Sequence, residues 1–149
     1  MRRKAWIALA AVIAAAFAGC GALPQAPLPY RVEGDAIRDR LATPGDAARG
    51  REVVLARDFN CLLCHAVPEP AVRFMGNVGP PLAGVGARLS EGQIRLRIVD
   101  PMRLNPGSVM PSYYRVEGLN QVAAAWRGKP VLTAQQVEDT IAYLKSLTR

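Results

Sequence analysis

The sequence predicts an all-α domain of about a hundred residues, and three observations carry that expectation. Two capping boxes, Ser90 with Gln93 and Thr133 with Gln136, each open a run of apolar residues at helical spacing. No segment sustains the strict alternation of a half-buried strand. Gly- and Pro-rich stretches separate the helical runs, so helices joined by loops fit better than any sheet.

The chain opens with the features of an exported protein. Arg2, Arg3 and Lys4 form a basic start, and residues 5–18 are almost continuously apolar, a length that suits a signal segment and falls short of the roughly 20 residues that span a bilayer. Residues 1–19 are therefore read as a signal peptide, which places the mature protein in the periplasm. Phe17-Ala18-Gly19-Cys20 has the form of a lipobox, in which Cys20 would be lipidated and anchor the chain to the membrane. Cleavage after Ala18, at an Ala-x-Ala site, is the alternative, and it would leave Cys20 as an odd free thiol. Lipidation is the preferred reading because it gives that cysteine a use.

Residues 20–43 read as a tether. Pro24, Pro27 and Pro29 forbid a helix and favour an extended conformation, and residues 31–43 are charged and weakly periodic, so they either drape over the domain or stay mobile. The domain proper is expected over residues 44–149. Its first helix has Asp46 as N-cap, runs through Val53, Val54 and Leu55, and is broken by Asp58-Phe59-Asn60. The Ser90 helix buries Ile94 and Ile98 and stops at Asp100-Pro101. The Thr133 helix places Val137, Ile141 and Leu144 on a core face, with Tyr143 and Leu147 on its flank.

One pentapeptide names a chemistry. Cys61-Leu62-Leu63-Cys64-His65 has the two thiols and adjacent imidazole that covalent attachment of a c-type haem requires, each sulfur adding to a porphyrin vinyl group and the histidine ligating the iron. His65 is the sole histidine of the chain. A zinc site would need a second ligand pair, and a dithiol oxidoreductase would need a β-α-β setting; the sequence offers neither. Two cysteines consumed as thioethers also suit an oxidising compartment.

With His65 on one side of the iron, Met75, Met102 and Met110 are the candidates for the other. Met75 follows the histidine too closely to reach the opposite face, and Met102 sits at a helix end and reads as packing. Met110 precedes Pro111 in a loop 45 residues beyond His65 and is the preferred ligand. A histidine and a thioether fill both axial positions, which points to electron transfer rather than substrate binding at the metal. Phe59, Phe74, Leu82, Tyr113 and Tyr114 are candidates to bury the porphyrin.

The net charge of +7 includes the three basic residues of the signal segment; beyond it, 16 Lys and Arg face 12 Asp and Glu. No arginine cluster interleaves with aromatic residues, so no nucleic-acid partner is expected.

A helix before Cys-x-x-Cys-His, a Gly-Pro loop after it, a downstream Met-Pro and a C-terminal helix ending Ala142-Tyr143-Leu144-Lys145 resemble a class I cytochrome c. That resemblance implies one covalent haem c. It also implies close crossing of the first and last helices, with Gly50 at the contact, and a carbonyl, here that of Pro80, accepting the hydrogen bond of the proximal imidazole. Residues 109–120, beginning Val109-Met110-Pro111-Ser112-Tyr113-Tyr114-Arg115, then residues 129–139 and the loop Gly76-Asn77-Val78-Gly79-Pro80, are more specific. They resemble SoxX, the monohaem subunit of the SoxAX cytochromes of sulfur oxidation, over residues 48–147. This implies a SoxA-like partner that couples thiosulfate oxidatively to a cysteine of the carrier SoxYZ. The present chain would accept the electrons and pass them to a downstream c-type cytochrome. With Cys61 and Cys64 spent on thioethers, the catalytic sulfur chemistry would belong to the partner. The rival reading is a stand-alone shuttle cytochrome. A stable subunit should keep an apolar patch beside the haem edge, for which Tyr113, Tyr114 and Trp126 are the candidates, whereas a shuttle should present a small charged face.

Overall fold

The computed structural model describes residues 29–149; the signal peptide expected over residues 1–19 and the lipidation expected at Cys20 fall outside them. Among the described residues there are five helices: α1 (Ala47–Leu55), α2 (Cys61–Cys64), α3 (Val85–Arg88), α4 (Glu91–Val99) and α5 (Ala134–Ser146). Short 3-10 turns follow at Pro101–Arg103 and Ala124–Trp126. Among the described residues there is no strand, only an isolated bridge between Glu33 and Ala36.

Each predicted helix starts where its cap stands. The Asp46 carboxylate accepts the Arg49 N–H at 2.8 Å, and both capping boxes are closed in both directions. Asn60 takes a left-handed conformation (φ 58°), which turns the chain out of the segment after α1 and into α2. On α5, Val137, Ile141, Tyr143 and Leu144 are buried, and Leu147 is half-buried beside them.

The packing of α1 on α5 is a backbone-to-backbone contact. A Cβ at Gly50 would lie 1.8 Å from the Asp139 carbonyl oxygen, and one at Gly45 would lie 1.9 Å from that of Glu138. Only glycine admits that approach. Asp139 then receives the start of α1: its carboxylate accepts from Asp46 N, from Arg49 Nε and Nη2, each at 2.8 Å, and from Gln135 Nε2 at 3.0 Å. The Arg49 guanidinium, with these further donors, holds its pKa down to about 2.

The packed unit begins earlier than the boundary expected at residue 44. Tyr30, Ala36 and Ile37 are buried, and Ile37 N donates to Gly92 O at 3.0 Å, so this part of the expected tether forms a strap across α4. The strap explains why α4 is buried well beyond Ile94 and Ile98, with Arg95, Leu96 and Val99 also enclosed. Arg95 pairs with Glu138 of α5 through two 2.8 Å bonds, and its Nη1 donates to Ile37 O at 2.7 Å. Leu41 N donates to the same Glu138 carboxylate. Such a pair is held in place because removing one partner would strand a buried charge.

Candidate functional site

The site is assembled from α2, the loop that follows it, and the loop between α4 and α5. Cys61 and Cys64 sit at the two ends of the single turn of α2, so both sulfurs lie on one short helical face. Both are half-buried, and burial pushes the Cys61 thiol up, an environment that suits an uncharged sulfur such as a thioether. Neither cysteine is in a disulfide.

Residues 75–82 run back alongside the motif. Gly76 N donates to Leu62 O, Gly79 N to Cys64 O and Leu82 N to Ala66 O, each at 2.8 Å. This return places Pro80 O 2.7 Å from His65 Nδ1. A carbonyl can only accept, so Nδ1 carries the proton and Nε2 keeps its lone pair for a metal. Gly79 forms the seat of the ring: a Cβ there would lie 2.4 Å from His65 Cε1. Gly76 lets the loop close on α2, since its Cβ would meet Leu63 O at 1.8 Å. The sequence offered a cue to both seats, the Gly76-Asn77-Val78-Gly79-Pro80 run, but not their contacts.

The three methionines occupy different surroundings. Met75 lies in the return loop, and its sulfur accepts the Val67 N–H at 3.2 Å. The Met102 sulfur lies 3.3 Å from Arg115 Nη2. Met110 is half-buried against the core; Ser108 Oγ accepts from its backbone N–H at 3.2 Å, and its sulfur has no hydrogen bond among the described residues. Two thioethers are thus engaged and the third is free to act as a donor.

The aromatic candidates divide. Phe59 and Leu82 are partly buried and pack on the core near the motif, Tyr114 is partly buried with its ring centroid 6.4 Å from that of Tyr30, and Tyr113 is 6% exposed with its hydroxyl donating to Phe59 O at 2.8 Å. Phe74 does not belong with them: it is 99% exposed and held in a left-handed conformation (φ 62°), so it points its ring to solvent. Leu63, Val78 and Val109 are likewise exposed, one between the cysteines, one next to Gly79 and one next to Met110. Tyr113 serves the interior instead of an apolar patch, whereas Trp126 is 46% exposed on its own 3-10 turn.

A covalent haem fits these residues. The donor set is two cysteines at one helical turn, an imidazole with Nε2 free, and an unengaged thioether; the glycine seats that bring Pro80 to His65 would have no purpose for a thiol pair alone. Among the described residues no group of three or more His, Cys, Asp or Glu side chains could hold a metal ion.

Comparison with known proteins gives a family and a similar solved structure. Residues 47–148 match the family Cytochrome c. Six chains of solved structures match, among them one from the crystal structure of SoxXA from P. pantotrophus, with a TM-score of 0.75 and 31% identity. That match covers 85% of this chain and 100% of the other. No curated protein matches.

Proposed function

Because the chain belongs to the cytochrome c family and is SoxX-like, we propose that it is the electron-accepting subunit of a SoxAX-type complex. In this reading Cys61 and Cys64 would hold a single haem c, His65 and Met110 would ligate its iron, and the Pro80 carbonyl fixes the imidazole. Haem c so held supplies one-electron chemistry. The chain's own residues orient the imidazole through Nδ1, present the thioether of Met110, and exclude water with Phe59, Leu82 and Tyr114. The partner is a SoxA-like cytochrome that joins thiosulfate to a cysteine of SoxYZ, and the electrons leave to a downstream c-type cytochrome. The protein is exported to the periplasm, with lipidation of Cys20 as its membrane anchor.

One observation carries the choice of a subunit over a free shuttle. The exposed side chains Leu63, Phe74, Val78 and Val109 flank the motif and Met110, and residues 59–68, 74–87 and 104–114 contain no Asp, Glu, Lys or Arg. A chain with 19 Lys and Arg and 12 Asp and Glu has kept all of them off the segments that frame the site. Transient redox partners dock through complementary charge, whereas a lasting interface has an apolar centre from which charge is depleted.

Purification of the tagged holoprotein from its native host tests the assignment. The expected result is a stoichiometric complex with a larger c-type cytochrome, identified by mass spectrometry and haem staining. Phe74→Ala should weaken it by roughly 30-fold, the effect of removing a central aromatic anchor worth about 2 kcal/mol. A monodisperse monomer in the native extract would contradict the subunit reading.

A further inference from the structure

The loop that carries Met110 leaves the end of α4 and comes back to it. After the turn at Pro101–Arg103 it is held by local turns, with Asn105 Oδ1 accepting from Gly107 N at 3.0 Å. It then returns so that Tyr113 N donates to Ile98 O at 3.0 Å and Arg115 N to Val99 O at 3.2 Å. Those carbonyls belong to the last turn of α4, where the helix itself offers no donor. The position of Met110 therefore depends on how firmly the base of this loop is closed.

Two side chains close it. Arg115 Nε lies 2.8 Å from Asp100 Oδ1, with the two side chains 13% and 3% exposed; the two atoms are not aligned for a hydrogen bond, so the tie is the attraction of a buried ion pair. Its Nη2 also reaches Met102 Sδ at 3.3 Å and Ser112 Oγ at 3.4 Å, so one guanidinium ties the helix end, the 3-10 turn and the returning strand of the loop. Tyr113 makes the link across the site. Its hydroxyl donates to Phe59 O, 54 residues away and two before Cys61. No other hydrogen bond among the described residues joins residues 104–115 to residues 57–65.

The geometry points to Tyr113 and Arg115 as positioning residues that set the placement of the Met110 thioether relative to the Cys61–His65 segment. This rests on the reading of Met110 as the axial ligand. A phenylalanine at position 113 would fill the same space, so the hydroxyl adds direction rather than volume: it fixes the loop's register against Phe59. Arg115 acts at the other end, where its guanidinium reaches Asp100, Met102, Ser112 and the Glu117 carbonyl at once, a geometry that a lysine ammonium does not reproduce.

The test is an imidazole titration of the ferric holoprotein, in which added imidazole competes with the thioether for the iron. A neutral hydrogen bond of ordinary net strength corresponds to a change of roughly 3- to 10-fold in the loop's opening equilibrium. Tyr113→Phe should therefore bind imidazole about 3- to 10-fold more tightly, with covalent haem retained. Arg115→Lys should shift affinity in the same direction. A purely structural role would lower the melting midpoint of Tyr113→Phe and leave its imidazole affinity at the wild-type value, and that result overturns the proposal. If Arg115→Lys fails to fold, Tyr113→Phe decides alone. Met110→Ala separates the two levels of inference. Once the thioether is gone, adding Tyr113→Phe should change imidazole affinity no further, and an additional increase would overturn the positioning role. If Met110→Ala still shows thioether ligation, the ligand assignment itself falls.

Discussion

Replacing Cys61 and Cys64 together by alanine is expected to give a chain with no covalently bound haem and a greatly lowered melting midpoint. Phe59, Leu62, Met75 and Leu82, in and beside the motif and its return loop, are only partly buried where they pack on the core. A covalently held porphyrin stays attached to the unfolded chain, so it contributes through the apolar surface it buries on folding; about 160 Å² at roughly 25 cal/mol per Å² gives about 4 kcal/mol. Losing that much from a domain of this size lowers the midpoint by roughly 15–25 °C. Pyridine haemochrome assay of the denatured protein reads the first effect and far-UV circular dichroism the second. A double variant that melts like wild type would show that the core does not depend on the haem.

The second large effect is expected at Gly50. Alanine favours a helix over glycine by about 1 kcal/mol, so on an open helix face Gly50→Ala would stabilise. Here the added Cβ meets Asp139 O at 1.8 Å, Asp139 C at 2.4 Å and Thr140 N at 2.9 Å, all of them backbone atoms that cannot swing aside. Overpacking of a tight contact typically costs 1–3 kcal/mol, and this contact lies at or beyond about 3 kcal/mol because α1 and α5 must separate as units. The net outcome is destabilisation by about 2 kcal/mol or more, read as a lower urea midpoint at unchanged m-value. A stabilised Gly50→Ala variant would mean that the helices do not touch there.

The parts of this protein legible in sequence were those written in local chemistry. Capping boxes at Ser90 and Thr133 and the N-cap at Asp46 mark helix starts because their partners lie three residues away. The close approach at Gly50 was legible through resemblance, and the structure supplies its partner, the Asp139 carbonyl. The return of Pro80 O to His65 Nδ1 was anticipated in the same way. Contacts between distant segments were not legible. The burial of Arg95 depends on Glu138 and on the Ile37 carbonyl, and nothing in the weakly periodic run of residues 31–43 announces that it covers α4. Phe74 looked like a residue for the interior because aromatic rings usually are, yet its positive φ turns it outward. Tyr113 is a candidate both for burying the porphyrin and for an apolar patch; the structure makes it a buried strut, and its partner is a backbone carbonyl that carries no side-chain signal.

The central claim is that one iron is held between His65 and Met110, and the far-red absorption of the ferric holoprotein tests it most directly. Wild-type protein should show the weak band that a thioether-to-iron bond produces, and Met110→Ala should lose it while Met75→Ala and Met102→Ala keep it. Survival of the band in Met110→Ala, or its absence from the wild-type protein, would contradict the account.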